Sequence, residues 1–327
     1  WPNYIPSGAI TILAGKPGCG KTTLMLSVAA SVSRGSPLPD GTPSRNGMVL
    51  IWSGEDALAE VLRPRLEAAG ADLSMIKFIS GTSSPDGDVR FNPATDMPKL
   101  LQTATEGEPP SLLIIDPMIA AVKGDSHKNN ETRSGLQPLV TFAETTGCAV
   151  VGITHLTKGT LGKDPLERIN GSIAFGALAR AALMAVAGPM ANGSEANCLL
   201  VRVKTSYGVP GGGVQYSIHE VPINADAAIL ASKVFWGKSV NGDAQNLIAS
   251  LEGDGQPGIP GAREQAKNFL LEILRDGPVP QAEIDATAKK FGISLPTLNR
   301  AKAALQVKSK KTDKGWMWSL PIGQDNQ

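Results

Sequence analysis

Gly15-Lys16-Pro17-Gly18-Cys19-Gly20-Lys21-Thr22 matches the pattern G-x-x-x-x-G-K-[ST] and lies between two apolar runs. The run before it, Ala9-Ile10-Thr11-Ile12-Leu13-Ala14, is β-branched and aliphatic, which predicts a buried strand. The run after it, residues 23–30, has helix-compatible spacing. Strand, loop and helix in that order make the loop a phosphate cradle. Glycines let backbone N–H groups turn inward toward phosphate oxygens, and the helix N-terminus adds a positive dipole. Lys21 supplies a mobile charge and Thr22 a hydroxyl for Mg²⁺. The expected nucleotide-binding set is therefore Gly15, Lys16, Pro17, Gly18, Cys19, Gly20, Lys21, Thr22 and Thr23.

Moving outward, Met48-Val49-Leu50-Ile51-Trp52 predicts a second strand, and Ser53-Gly54-Glu55-Asp56 puts two carboxylates at its C-terminal end. That is the edge where doubly wound sheets bind ligands. Asp56 is positioned to N-cap a helix over residues 57–69 that Gly70 would close, whereas Glu55 precedes the cap and points toward the phosphates. Residues 76–79 read as a short third strand, 81–93 as a polar turn-rich connection and 97–105 as a helix. Leu112-Leu113-Ile114-Ile115-Asp116 then has the Walker B form, a buried parallel strand delivering an acid to the Mg²⁺ site.

Residues 123–134 are polar and Asn-rich and predict a mobile loop before a helix at 136–145. Cys148 to His155 reads as another buried strand, which ends in a histidine at the same sheet edge. There His155 can donate to a γ-phosphate and report its loss. Lys158, Lys163 and Arg168 lie among glycines in the next loop, a pattern suited to an anionic strand such as single-stranded DNA. After a short helix at 171–179, strands are expected at 181–187, 198–204, 214–219 and 230–236, forming an antiparallel extension of the sheet.

Residues 238–261 read as a linker, with Asn, Gly, Asp and Pro clustered around a short possible helix, 262–321 as a small second domain, and 322–327 as a tail. Ala266, Phe269, Leu270, Ile273 and Leu274 recur at helical spacing. Ile284 and Ala288 mark a second helix, and Leu295, Leu298 and Leu305 the packing face of a third that Ser294 caps. A hairpin over 307–320 completes a winged-helix pattern. Residues 262–320 carry 11 Lys and Arg against 6 Asp and Glu, in a chain whose net charge is only +1. Arg300 and Lys302 on the third helix, with Lys308, Lys310 and Lys311 on the wing, are the expected DNA contacts; a winged helix can instead be a protein-interaction module, with a replication protein as its partner.

Composition sets further bounds. The 327 residues suit one large domain plus a small one. Cys19, Cys148 and Cys198 are far apart, with no metal or disulfide spacing. No apolar run is long enough to cross a membrane and no secretory signal pattern opens the chain, so a cytoplasmic protein without a membrane partner is expected.

The P-loop, Ser53-Gly54-Glu55-Asp56, the Asp116 strand and the His155 strand together resemble the RecA-like ATPases, specifically the RepA-type plasmid helicase branch close to the DnaB family. The resemblance covers roughly residues 1–236. It implies a RecA-like α/β core with a mostly parallel sheet, ATP and Mg²⁺ as ligands, and a homo-hexameric ring acting on single-stranded DNA in plasmid, phage or mobile-element replication. It implies that Glu55 polarises the attacking water, Asp116 is the Walker B acid and His155 the γ-phosphate sensor. In such rings a cation reaches across from the neighbouring subunit. Arg180 stands at the spacing of the RepA-type finger. Lys204 stands where DnaB-type enzymes carry Lys-x-Arg, although Ser206 replaces that arginine here. Arg180 ranks first and Lys204 as an accessory. The alternatives are a nucleotide-switched DNA-binding regulator without unwinding activity, and a RecA-like recombination or repair ATPase.

Overall fold

The computed structural model describes residues 1–84, 87–122, 129–157, 159–169, 173–188, 198–223, 229–252, 262–275, 277–291, 293, 295–313 and 315–321. They form two compact units, residues 1–252 and 253–327.

Unit 1 runs β1 (Ile10–Gly15), α1 (Lys21–Arg34), β2 (Val49–Ser53), α2 (Arg63–Ala69), β3 (Ile76–Phe78), β4 (Gly81–Ser84), β5 (Gly87–Arg90), α3 (Met97–Glu106), β6 (Leu112–Asp116), α4 (Asn129–Thr146), β7 (Ala149–His155), α5 (Ile173–Leu178), β8 (Ala181–Ala187), β9 (Cys198–Thr205), β10 (Gly213–Pro222), β11 (Leu230–Val240) and α6 (Ala244–Glu252). Nine strands make one sheet in the order β11-β10-β9-β8-β1-β7-β6-β2-β3. From β3 through β8 every pairing is parallel; β9, β10 and β11 pair antiparallel, as expected.

The central strands are buried along nearly their whole length and mostly apolar because both faces are covered. Leu13 faces a core layer shared with Leu24 and Met25 of α1 and Leu66 of α2. Ile10, Ile12 and Ala14 face the opposite layer, with Met97 of α3, Phe142 of α4 and Phe175 of α5. The fold is a three-layer α/β core of the RecA-like P-loop type. No helix among the described residues is long and apolar enough to cross a membrane.

Several expectations need correction. The polar stretch 81–93 contains the β4–β5 hairpin. Asp56 does not cap the helix after it. The turn at Ala57 has no side-chain cap, residues 58–62 form a turn of π-helix before α2, and Asp56 Oδ2 instead pairs with Arg65 at 3.2 Å. The first part of the expected linker is ordered structure of unit 1. β11 continues to Val240, and α6 buries Ala244, Ile248 and Leu251 against Met184, Val186, Leu199 and Val201 of β8 and β9. Those four sheet residues would otherwise present an apolar face to water, which is why a helix lies over them.

Unit 2 contains α7 (Ala262–Ile273), β12 (Val279–Pro280), α8 (Gln281–Lys290), α9 (Leu295–Ala304), β13 (Lys308–Thr312) and β14 (Gly315–Ser319). Its strands form a small antiparallel sheet, β12-β14-β13. Ala266, Leu270, Leu274, Ile284, Ala288, Leu298, Ala301 and Trp318 make its core. Leu295, expected to pack, is exposed. Ser294, its expected cap, lies outside the described residues.

Candidate nucleotide site

The loop between β1 and α1 is held open by backbone geometry that only glycine adopts cheaply. Gly20 has φ 79°, and a Cβ there would strike Ile218 of β10. At Gly15 a Cβ would lie 2.6 Å from Cys19 Sγ and 2.7 Å from the Ala185 carbonyl oxygen. β10 also closes over the loop from outside, where the Tyr216 hydroxyl donates to the Cys19 carbonyl at 2.7 Å. The Cys19 side chain packs inward, and burial pushes its thiol pKa up, so it serves as packing rather than as a nucleophile. The Lys21 ammonium is buried and donates to the carbonyls of Gly15 and Lys16, both at 3.1 Å.

Parallel register gathers the remaining groups. β2, β6, β7 and β1 are consecutive in the sheet and end at one edge, with Ser53 opposite Asp116 and Gly15 opposite His155. The amide of Gly54 donates to the Asp116 carbonyl at 2.7 Å, tying the turn after β2 to the end of β6. Ser53 Oγ accepts from the amides of Asp56 at 3.0 Å and Glu55 at 3.4 Å. This fixes the turn that presents the exposed Glu55 carboxylate. His155 Nε2 lies 3.8 Å from Glu55 Oε1, and His155 Nδ1 is buried with no hydrogen-bond partner among the described residues.

Thr22 Oγ1 donates to Asp116 Oδ2 at 2.7 Å. Asp116 is 3 % exposed, and its pKa is raised, first by burial and then by the charges of Glu55 and Asp56, against the opposing pull of Thr22 and Lys21. Two hard oxygens meeting beside a phosphate cradle are a donor set that fits Mg²⁺, and Thr22 and Asp116 would hold it there. A divalent cation there would also offset the charge that makes Asp116 costly to ionise.

Arg180 and Lys204 are at the other end of the sheet. Arg180 immediately precedes β8, and its amide donates to the carbonyl of Ile10, the first residue of β1. β8 is parallel to β1, so Arg180 stands about 16 Å of strand away from its own P-loop. It lines a cleft of about 390 Å³ with Arg133, Glu144 and Tyr207. Lys204, opposite Ala182, donates to the carbonyls of Gly176 and Ala179, and its pKa is lowered by burial and by neighbouring Arg180. Neither cation reaches the P-loop of the same chain.

The expected DNA contacts divide. Lys163 is exposed and Lys158 lies outside the described residues. Arg168 is not available to DNA: it is 3 % exposed and gives both terminal nitrogens to Glu252 at 2.7 Å. In unit 2, Arg300, Lys308, Lys310 and Lys311 are exposed. Lys302 is half-buried, with its ammonium 3.8 Å above the Trp318 ring and 2.5 Å from Ser309 Oγ, so it is committed within the unit. Sequence reasoning missed Glu252, a single carboxylate at the end of α6 that no motif marks. It also missed Tyr216, whose hydroxyl shows no motif.

Residues 1–160 match the family model described as AAA domain. The chain is similar to the DNA repair protein RadA of Brucella abortus (strain 2308), 28% identical over 156 residues, which is 46% of this chain and 29% of that protein. The chain thus spans under a third of the length of that curated relative. Together with the site geometry, these matches place the P-loop region in a RecA-like P-loop ATPase family.

Proposed function

We propose that the chain is a DNA-stimulated ATP hydrolase, a helicase or translocase of plasmid, phage or mobile-element replication that works as a homo-hexameric ring. The observation that carries the reading is the division of the site. Glu55, Asp116, Thr22 and His155 stand with the P-loop at one sheet edge, and Arg180 stands at the other. A neighbour supplying Arg180 completes the site, so assembly and hydrolysis depend on each other.

Lys21 and the loop amides hold the β- and γ-phosphates, and Glu55 orients water for in-line attack. Thr22 and Asp116 would hold Mg²⁺, which supplies charge neutralisation when bound. His155, poised between Glu55 and the γ-phosphate position, loses a partner on hydrolysis, and the loop after it carries that change toward DNA through Lys163. The three helices and three-stranded sheet of unit 2 support a winged-helix reading, with Arg300, Lys308, Lys310 and Lys311 as phosphate contacts.

A Glu55→Gln protein should bind MgATP and hydrolyse it at least about a hundredfold more slowly; unchanged turnover removes Glu55 as the water-orienting base. Strand displacement on a forked duplex separates a helicase from a nucleotide-switched regulator. The similarity to a protein named for DNA repair favours a second reading, a recombination or repair ATPase. Particle symmetry separates the two, since that reading predicts a filament in place of a closed ring.

A further inference from the structure

Glu252 ends α6 and with it unit 1. A carboxylate there is disfavoured twice, by the negative end of the helix dipole and by its own burial at 7 % side-chain exposure. Two cations from distant parts of the chain pair with it. Arg168, itself 4 % exposed at its side chain, donates to both oxygens at 2.7 Å, and Lys16 of the P-loop stands 3.5 Å from Oε1.

Each partner sits at a mechanically relevant point. The Arg168 carbonyl accepts from the Thr157 amide at 2.8 Å, and Leu156 bridges Ile169, so Arg168 closes the base of the loop that starts just after His155. Its remaining nitrogen, Nε, has no partner among the described residues, which leaves Glu252 to carry its charge. The Lys16 carbonyl is one of the two that hold Lys21. The two arms differ in strength. The Arg168 arm is bidentate and buried, hence fixed; the Lys16 arm is long, and its lysine is 60 % exposed, hence exchangeable.

We propose that Glu252 is a positioning residue that couples phosphate binding in the P-loop to the 156–169 loop. Nucleotide phosphates bring negative charge beside Lys16 and compete with Glu252 for its ammonium. Glu252 then answers to Arg168 alone, and the base of the loop responds. By linkage, a ligand that shifts the loop through Arg168 changes nucleotide affinity by the same factor. The proposal rests on the nucleotide-binding reading above.

The test is hydrogen–deuterium exchange of the full chain, followed by mass spectrometry, with and without saturating MgADP whose binding is measured separately. In the wild type, peptides within 156–169 should change exchange rate at least about threefold on MgADP addition. In Glu252→Gln, which keeps shape and loses charge, MgADP should still bind and the change in 156–169 should vanish. A merely structural Glu252 would shift the baseline exchange of that segment and leave its nucleotide dependence intact. Lys16→Met removes the exposed arm and leaves the buried pair, so it should fold even where Glu252→Gln does not; with MgADP raised until the measured occupancy of this variant is saturated, because Lys16 belongs to the P-loop, it should show the same loss. A nucleotide-dependent change that persists in both variants overturns the proposal, as does a wild type that binds MgADP with 156–169 unaltered. A wild type that fails to bind MgADP overturns the nucleotide reading itself, and the proposal with it.

Discussion

Removing the Glu252 carboxylate while leaving Arg168 in place strands a guanidinium in a site where its side chain is 4 % exposed. Breaking a buried ion pair from one side costs about 3–5 kcal/mol, because the surviving charge has lost both water and partner. For a unit of this size roughly 1 kcal/mol corresponds to about 2–4 °C, so Glu252→Ala should lower the main calorimetric transition of the full chain by about 6–20 °C. Removing both charges is a different perturbation. A Arg168→Met, Glu252→Leu double variant leaves nothing unpaired and should recover most of the loss, since apolar replacement of a buried pair is near neutral. Lys16→Met, on the exposed arm, should shift the transition by no more than about 2 °C. If Glu252→Ala melts within about 2 °C of wild type, or the double variant is no more stable than the single, the pair is solvated and the argument from burial fails.

Three further outcomes follow from the site. Burial raises the Asp116 pKa in the folded protein, so its ionisation opposes folding; that contribution is favourable below the unfolded pKa and is lost as pH rises through the folded one. Asp116→Asn should therefore melt no lower than wild type at neutral pH without ligands, while Mg²⁺-dependent hydrolysis falls at least about a hundredfold; a lower melting temperature would sink the electrostatic reading. Arg180→Ala and Glu55→Gln should each be nearly inactive. Mixed in equal amounts and co-assembled they should regain roughly a quarter of wild-type turnover, because some interfaces combine an intact Glu55 with an intact Arg180; no recovery excludes a finger in trans. Replacing Lys308, Lys310 and Lys311 by Gln should reduce the salt slope of duplex binding by about 2.7, and an unchanged slope removes the wing from the DNA contacts.

The parts of this site that could be read from sequence are those that local chain geometry dictates. Glycines at fixed offsets make the cradle, and apolar runs ending in Asp116 and His155 make buried parallel strands whose ends must share an edge. What could not be read depends on pairing at long range. Arg168 has the composition of a DNA-facing loop residue, and only an acceptor 84 positions away turns it inward. The short helix at residues 244–252 sits in linker-like composition, and only the apolar faces of β8 and β9 show that it belongs to the sheet as its cover. Asp56 has the sequence position of a cap, but the π-helical turn at 58–62 carries the chain past it and leaves it to Arg65. Lys302 reads as a surface cation on α9, and the aromatic ring that holds it is contributed by β14.

The central claim is that this chain hydrolyses ATP in response to DNA. Steady-state MgATP turnover by the full chain, with and without single-stranded DNA, tests it most directly. The account predicts measurable hydrolysis that DNA accelerates by about tenfold or more. Turnover that is absent, or that single-stranded DNA leaves unchanged, would contradict it.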